Sequence, residues 1–223
     1  MMETPRVCII GAGATGLVAS KILHERNIPF ECFEKGSGIG GLWRFNNDSG
    51  LSAAYKSLHI NSSRNMMAFS DFKMPATYPD FPDHSDILAY YEDYVDEFGF
   101  RDQIRFRTAV QAVDPVDGHY RVTIDDGSSR PQETLFDHVI VANGHHWSPK
   151  TPEFNGPFNG RSFHSYDYKT HEGLEGKRVL VVGIGNSGCD ISCEVSRVSA
   201  KTFLATRSGA HIIPKYLFGK PLD

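Results

Sequence analysis

The sequence predicts an α/β protein built from two three-layer β-α-β units, the second incomplete, with a β-meander inserted in the first. Three observations predict it. A β-branched apolar run at residues 6–10 leads directly into Gly11-Ala12-Gly13-Ala14-Thr15-Gly16 and then into apolar residues at helical spacing. The same order recurs at residues 177–182, Gly183-Ile184-Gly185-Asn186-Ser187-Gly188 and the segment that follows. Between the two copies lie strand-like pieces and the turn signal Asp125-Asp126-Gly127.

The elements follow in order. Residues 6–10 read as a buried strand, and Leu17, Val18, Ile22 and Leu23 as a helix running to about Arg26, where Asn27 and Pro29 end it. Residues 28–33 read as a second strand closing on Glu34. Residues 35–84 are rich in Gly, Ser, Asn and Pro, and a loop of that length is expected to be functional. Ser85 is a capping residue for a helix to Phe98, with Ile87, Leu88, Tyr91, Val95 and Phe98 on one face and Gly99 as its stop. Strand-like pieces follow at 104–113 and 119–124, then a buried-type strand at 137–142. A linker punctuated by Pro and Gly covers roughly 147–160. The second copy has a strand at 177–182, a helix at 189–198 and a strand at 201–206 with Arg207 at its end.

Composition narrows the function classes. The chain has 223 residues, 40% of them hydrophobic and 22% charged, which suits a folded globule with a sizeable core. Its 23 basic and 27 acidic residues give a net charge of −4 without a Lys/Arg run, which argues against nucleic-acid or acidic-membrane binding. Residues 1–10 lack the pattern of a signal peptide, and no apolar stretch approaches membrane-spanning length, so a cytoplasmic location is expected. The triplets Asn47-Asp48-Ser49 and Asn61-Ser62-Ser63 fit the glycosylation pattern but carry no weight without secretion. Cys8, Cys32, Cys189 and Cys193 form no C-x-x-C pair and read as free thiols. The ten histidines, His145-His146 included, show no metal-ligand spacing, so no metal is expected.

A G-x-G-x-x-G between a strand and a helix is the fingerprint of a Rossmann-type, dinucleotide-binding unit. The first glycine makes the tight turn, the second lets the backbone approach a pyrophosphate, and the third lets helix and strand pack closely. The helix N-terminus supplies N–H groups for the phosphates. Two such loops, Gly11/Gly13/Gly16 and Gly183/Gly185/Gly188, imply two dinucleotides. The residue closing the second strand separates them. Glu34, 23 positions after Gly11, can accept from both hydroxyls of an adenosine ribose, which suits FAD or NAD. Arg207, 24 positions after Gly183, suits the 2′-phosphate of NADP. The bland alternative is that both are solvated strand ends.

Residues 158–168, Phe-Asn-Gly-Arg-Ser-Phe-His-Ser-Tyr-Asp-Tyr, match F-x-G-x-x-x-H-x-x-x-Y through Phe158, Gly160, His164 and Tyr168, just before the second glycine loop. This resembles the signature of the flavin-containing monooxygenases, in the place where that family carries it. Residues 40–45, 55–57, 61–67, 74–79, 142–145 and 183–191 are also similar to that family, so the resemblance covers essentially the whole chain.

The resemblance implies FAD and NADPH as cofactors, O2 and a small-molecule amine or sulfide as substrates, and oxygenation of the soft nitrogen or sulfur through a C4a-hydroperoxyflavin. It places Gly11, Gly13, Ala14 and Gly16 at the FAD pyrophosphate, Glu34 at its ribose, Gly41, Leu42 and Trp43 along the flavin, and the backbone of Val110 at the adenine. Asn61, next to Ser62, matches the active-site asparagine beside the flavin. Gly183, Gly185, Asn186, Ser187 and Gly188 match the NADP pyrophosphate loop, Arg207 the 2′-phosphate site, and His164 a histidine of structural rather than proton-transfer role. Domains are expected at 1–150 for FAD and 151–223 for NADP. Family members are roughly twice as long, so a C-terminally truncated chain is expected, with membrane association through a missing C-terminus left open. A homodimer, a non-catalytic FAD/NADP-binding remnant and a Baeyer–Villiger-type oxygenase remain as alternatives, although Tyr168 in the last signature position favours nitrogen and sulfur oxygenation. A disulfide reductase of the two-dinucleotide type would need a cysteine pair near the flavin, which these four cysteines do not supply.

Overall fold

A computed structural model describes residues 4–223; residues 1–3, the start of the segment read as lacking a leader, lie outside the described residues. In chain order the elements are β1 (Val7–Ile10), α1 (Ala14–Glu25), β2 (Phe30–Phe33), α2 (Arg64–Met67), α3 (His84–Phe98), β3 (Ile104–Arg105), β4 (Ala109–Val116), β5 (His119–Asp125), β6 (Gln132–Phe136) and β7 (His138–Val141). They continue with β8 (Arg178–Val182), α4 (Asn186–Ser196), β9 (Lys201–Ala205), β10 (Tyr216–Leu217) and β11 (Lys220–Pro221). Short 3-10 turns occupy Gly41–Trp43, Arg101–Gln103 and Ser165–Asp167.

The chain divides into two compact units, Met1–Ser52 with His84–Ser148, and Ala53–Asp83 with Pro149–Asp223. This partition differs from a cut at residue 150. Residues 53–83, expected with the first half, group with the second.

In the first unit a four-stranded sheet has the order β3-β2-β1-β7, and every pair in it is parallel. Such a sheet is covered on both faces, so its strands are continuous apolar runs rather than alternating ones. Val7, Cys8 and Ile9 of β1 are accordingly all buried. One face meets the antiparallel meander β4-β5-β6. There Cys8 and Phe33 form one cluster with Val122, Ile124 and Phe136, bordered by Ile10, Val110, Val113 and Val139. Phe33 and Phe136 meet edge-on with ring centres 6.1 Å apart, the geometry favoured by the ring quadrupoles. Helix α1 packs against β1, β2 and β7 and against α3. Helix α3 buries Ile87, Tyr90, Tyr91, Tyr94 and Val95, the i, i+3, i+4, i+7, i+8 stripe of an amphipathic helix. The result is three layers: meander, sheet, helices. Burial pushes the Cys8 and Cys32 thiols up to about 12, so they act as packing groups.

In the second unit β8 and β9 form a parallel pair from Arg178↔Lys201 to Val182↔Ala205, with α4 against both. Ile191 and Val195 of α4 form a core with Tyr55 and Tyr168. Away from this core Leu180 and Val182 are 60% and 55% exposed, so the pair is covered on one face only.

Several expectations shift in detail. Helix α3 begins at His84, so Ser85 lies inside its first turn and Asp83, another residue of capping type, stands before it. Helix α4 begins at Asn186, earlier than Cys189, because the helix starts inside the glycine loop itself. Strand β6 was not legible: Gln132-Glu133-Thr134-Leu135-Phe136 carries one fully buried residue, at its end. No helix among the described residues is long and apolar enough to cross a membrane.

Phe136 joins meander and sheet and is 1% exposed. Phe136→Ala is expected to destabilise the protein by about 3–5 kcal/mol, read from urea unfolding followed by circular dichroism.

Candidate dinucleotide-binding sites

The first glycine loop lies at the carboxyl ends of the parallel strands, where open α/β sheets bind their ligands. Gly11 follows β1 with φ +98°, and its N–H donates to Phe33 O at 2.8 Å. A Cβ on Gly11 would lie 2.7 Å from Ala142 O, so the loop also rests on the end of β7. A Cβ on Gly16 would stand 1.8 Å from Gly11 O, and no side chain fits there. Gly13 precedes α1 in extended conformation, and no side-chain cap covers that helix start.

Glu34 is not a solvated strand end. It is 6% exposed, and its carboxylate accepts from Ala12 N–H at 2.8 Å and from Gly36 N–H at 2.7 Å. One bond per oxygen leaves lone pairs for further donors, so a ribose diol can be added without displacing either amide.

Residues 40–43 close over the same loop. Gly40 N–H donates to Ala12 O at 2.9 Å, and a Cβ on Gly41 would lie 3.1 Å from Gly13 Cα. Leu42 and Trp43 are half-buried in the 3-10 turn that follows. Sequence reasoning missed the residues that hold this turn. The Asn47 amide donates to Gly41 O at 3.1 Å and accepts from Ser49 N–H at 2.9 Å. The Ser52 hydroxyl donates to Leu42 O at 2.9 Å, and Arg44 Nε donates to Ile39 O at 2.8 Å. The signal for Asn47 was in view, as the head of a triplet set aside as a glycosylation pattern. Val110 sits at a bulge in β4, with its side chain against the core between meander and sheet.

The second loop repeats the first in its own unit. Gly183 has φ +112°, its N–H donates to Ala205 O at 2.8 Å, and a Cβ on Gly188 would lie 2.2 Å from Gly183 O. Gly185 precedes α4 in extended conformation, again without a side-chain cap. Asn186 and Ser187 are exposed at the start of the helix. Arg207 is exposed beyond the end of β9.

The 158–168 segment is split in its surroundings. Phe158 is 73% exposed, whereas Tyr168 is 2% exposed and lies edge-on to Tyr55 with ring centres 5.9 Å apart. His164 Nδ1 accepts from Tyr166 N–H at 3.0 Å, a cap on the 3-10 turn that carries the chain to Tyr168. Asn61 is exposed, between buried Ile60 and buried Ser63, and belongs to the second unit with Ser62 and the second glycine loop.

A set of polar contacts outside the expected residues surrounds α4. Tyr55 Oη donates to Asp190 Oδ2 at 2.7 Å, and Ser57 Oγ donates to Glu194 Oε2. His171 Nδ1 lies 3.2 Å from Glu194 Oε1. Burial would push the Glu194 carboxyl up, but the hydrogen bonds from Ser57 and His171 outweigh it and hold the group below its ordinary value. Burial, then the bond to Asp190 and the charge on that carboxylate, drive the Tyr55 hydroxyl upward.

Comparison with known proteins agrees with this geometry. The profile of a family described as flavin-binding monooxygenase-like matches residues 4–223. The chain belongs to this flavin-binding monooxygenase family. It is 39% identical to flavin-containing monooxygenase 5 of Rattus norvegicus over all of its own length and 44% of that relative's. It is 38% identical to dimethylaniline monooxygenase [N-oxide-forming] 2 of Oryctolagus cuniculus over 94% of the chain and 41% of that relative. Among solved structures it is similar to an S-allyl-L-cysteine S-oxygenase from Allium sativum, with a TM-score of 0.85 and 31% identity, covering 97% of this chain and 54% of that one. The chain thus spans under half the length of the curated relatives it matches. Family membership and close structural likeness agree with the α/β architecture read from the glycine loops.

The depressed Glu194 pKa gives a pH prediction. A carboxylate lowered on folding adds stability that is complete above its unfolded value, about 4.3, and disappears as the pH falls through the folded value. Glu194→Gln is expected to lower stability by about 1–3 kcal/mol at neutral pH, with the gap to wild type closing in acid. Melting curves at pH 7, 5, 4 and 3 measure it, and a gap independent of pH would refute the assignment.

Proposed function

We propose that this chain carries the dinucleotide-binding machinery of an NADPH- and FAD-dependent monooxygenase that oxygenates a soft nitrogen or sulfur nucleophile of a small molecule. The observation that carries the reading is the pair of equivalent glycine loops, one closed by a buried carboxylate and the other by an exposed guanidinium. The unit Met1–Ser52 with His84–Ser148 takes FAD, and the unit Ala53–Asp83 with Pro149–Asp223 takes NADPH.

The residues present fit both groups. The first loop has no Cβ at Gly11, Gly13 or Gly16, so its backbone can lie against a pyrophosphate, and the uncapped start of α1 offers N–H donors. Glu34 has acceptor capacity left for ribose hydroxyls. The second loop has open space at Gly183 and Gly185, and Arg207 can pair with a 2′-phosphate in two parallel bonds. When bound, NADPH supplies hydride and the flavin supplies oxygen activation; the protein positions and shields them. Leu42 and Trp43 offer apolar surface that keeps water from the ring system. The Asn61 amide both donates and accepts, so it can orient the nicotinamide and the oxygen that is transferred. The relatives named for N-oxide formation and S-oxygenation, together with Tyr168 at the end of the signature, favour nitrogen or sulfur over carbonyl substrates. Four free thiols fit a reducing, cytoplasmic setting.

The purified chain is expected to show a bound-flavin absorption spectrum that bleaches with NADPH, and oxygenated amine or sulfide in air. Soluble protein that binds no flavin even when FAD is added would overturn the reading, and lactone or ester formed from a ketone would redirect it to Baeyer–Villiger chemistry. Arg207→Ala is expected to weaken NADP+ by about tenfold or more and leave NAD+ unchanged, measured by titration calorimetry. Equal losses for both nucleotides would remove Arg207 from the 2′-phosphate site.

A further inference from the structure

Two carboxylates on α4 reach back to the segment that carries Asn61. Asp190 and Glu194 are four residues apart and so lie one turn apart on a single helix face. Asp190 accepts the Tyr55 hydroxyl at 2.7 Å, across 135 residues of sequence, and Glu194 accepts the Ser57 hydroxyl across 137. Bonds to ionised acceptors are the stronger kind. Lys56 N–H donates to Lys169 O at 2.8 Å, and the Lys169 ammonium donates to Ala54 O at 3.1 Å. The Tyr55 ring is held by Tyr168, Ile191 and Val195. Residues 54–57 are therefore fastened to α4 and to the end of the signature segment. Leu58 N–H returns to Tyr55 O at 2.9 Å and Ile60 N–H to Pro82 O at 3.0 Å, which carries the chain to Asn61. At the other end, Asp190 stands two residues after Gly188, the third glycine of the second loop.

We infer that Asp190 and Glu194 are positioning residues, which couple the placement of Asn61 to occupancy of the Gly183–Gly188 loop by NADP. The inference rests on the nucleotide reading of that loop. A pyrophosphate bound by the first amides of α4 fixes the helix start. The helix is rigid over one to two turns, and its carboxylates hold Tyr55 and Ser57. Nucleotide binding then lowers the freedom of residues 55–61 and raises the population of the arrangement in which Asn61 meets its partners.

Hydrogen–deuterium exchange on the full chain tests this, with and without saturating NADP+. In wild type, the amides of Leu58 and Ile60 are expected to slow about fivefold or more on adding NADP+, along with those of residues 186–190. In Tyr55→Phe/Ser57→Ala the slowing at 186–190 persists and that at 58–60 is lost. Tyr55→Phe alone keeps the ring against Tyr168 and gives the same result with a smaller loss, and Ser57→Thr, which keeps a hydroxyl, retains the response. Slowing at 186–190 with residues 58–60 unmoved in wild type, or with an undiminished response in the double variant, overturns the coupling and leaves the nucleotide assignment standing. No slowing at either segment overturns the nucleotide assignment and the coupling with it.

Discussion

A helix can start directly on the end of a parallel strand only if two backbones touch where a side chain would normally stand. In this protein that contact is made twice. The Cβ absent from Gly16 would fall 1.8 Å from Gly11 O, and the Cβ absent from Gly188 would fall 2.2 Å from Gly183 O. Each contact sets the helix axis over its strand, aims the uncapped helix start at the open end of the sheet, and holds the first glycine at positive φ. The chemistry proposed for the chain requires that placement, because N–H donors at a helix end bind phosphate only where the backbone can approach it. The same contact fixes which strand ends lie beside each loop: Glu34, bonded by Ala12 N–H, stands beside the first, and the end of β9, bonded by Gly183 N–H, beside the second.

The two strand ends solve opposite electrostatic problems. Glu34 is a buried carboxylate, and burial without partners would cost several kcal/mol. It is tolerated because two backbone amides, one from the glycine loop itself, already donate to it. Both carboxylate oxygens of Glu34 are thus held in place by backbone, with acceptor capacity left over. Arg207 stays in solvent, where a guanidinium needs no such support. For the proposed cofactors, a prearranged carboxylate suits one that stays bound, and an exposed arginine suits one that comes and goes.

Much of this was legible in the sequence, and the reason is local. A G-x-G-x-x-G between an apolar run and a helical pattern has one structural solution, so both loops, their flanking elements and the two closing residues could be read from short windows. The apolar face of α3 was legible in part for the same reason: Ile87, Tyr91 and Val95 are buried as expected, whereas Tyr90 and Tyr94 are buried in place of Leu88 and Phe98. Residues 35–84 were not. Their order comes from side chains bonding backbone at irregular spacings, as Asn47, Ser52 and Arg44 do, and from partners more than a hundred residues away, as with Tyr55 and Asp190. Neither leaves a period for pattern reading to find. Strand β6 escaped because its pairing with β5 is made by backbone, while Gln132, Glu133 and Leu135 are exposed. The grouping of residues 53–83 with the second half followed from those same distant contacts.

The two units also differ in how they are held, and the difference bears on function. The first has a parallel sheet covered on both faces and a continuous apolar core, so its loop stands on a rigid base. The second has two separate strand pairs, β8-β9 and β10-β11, the short helix α2, the longer α4, a small aromatic core and a set of polar bonds that includes carboxylates of α4. Dispersion and apolar burial fall off gradually as groups move apart, whereas a hydrogen bond is lost within about an ångström of displacement and outside a narrow cone of angles. A segment fastened by Tyr55, Ser57, Lys56 and Lys169 is therefore sensitive to small shifts of α4 in a way that the first unit's core is not. For the nucleotide proposed at this loop, a cradle whose small movements are transmitted serves better than one that absorbs them. Asn61 lies four residues from the last of those fastenings, in the unit built to transmit them.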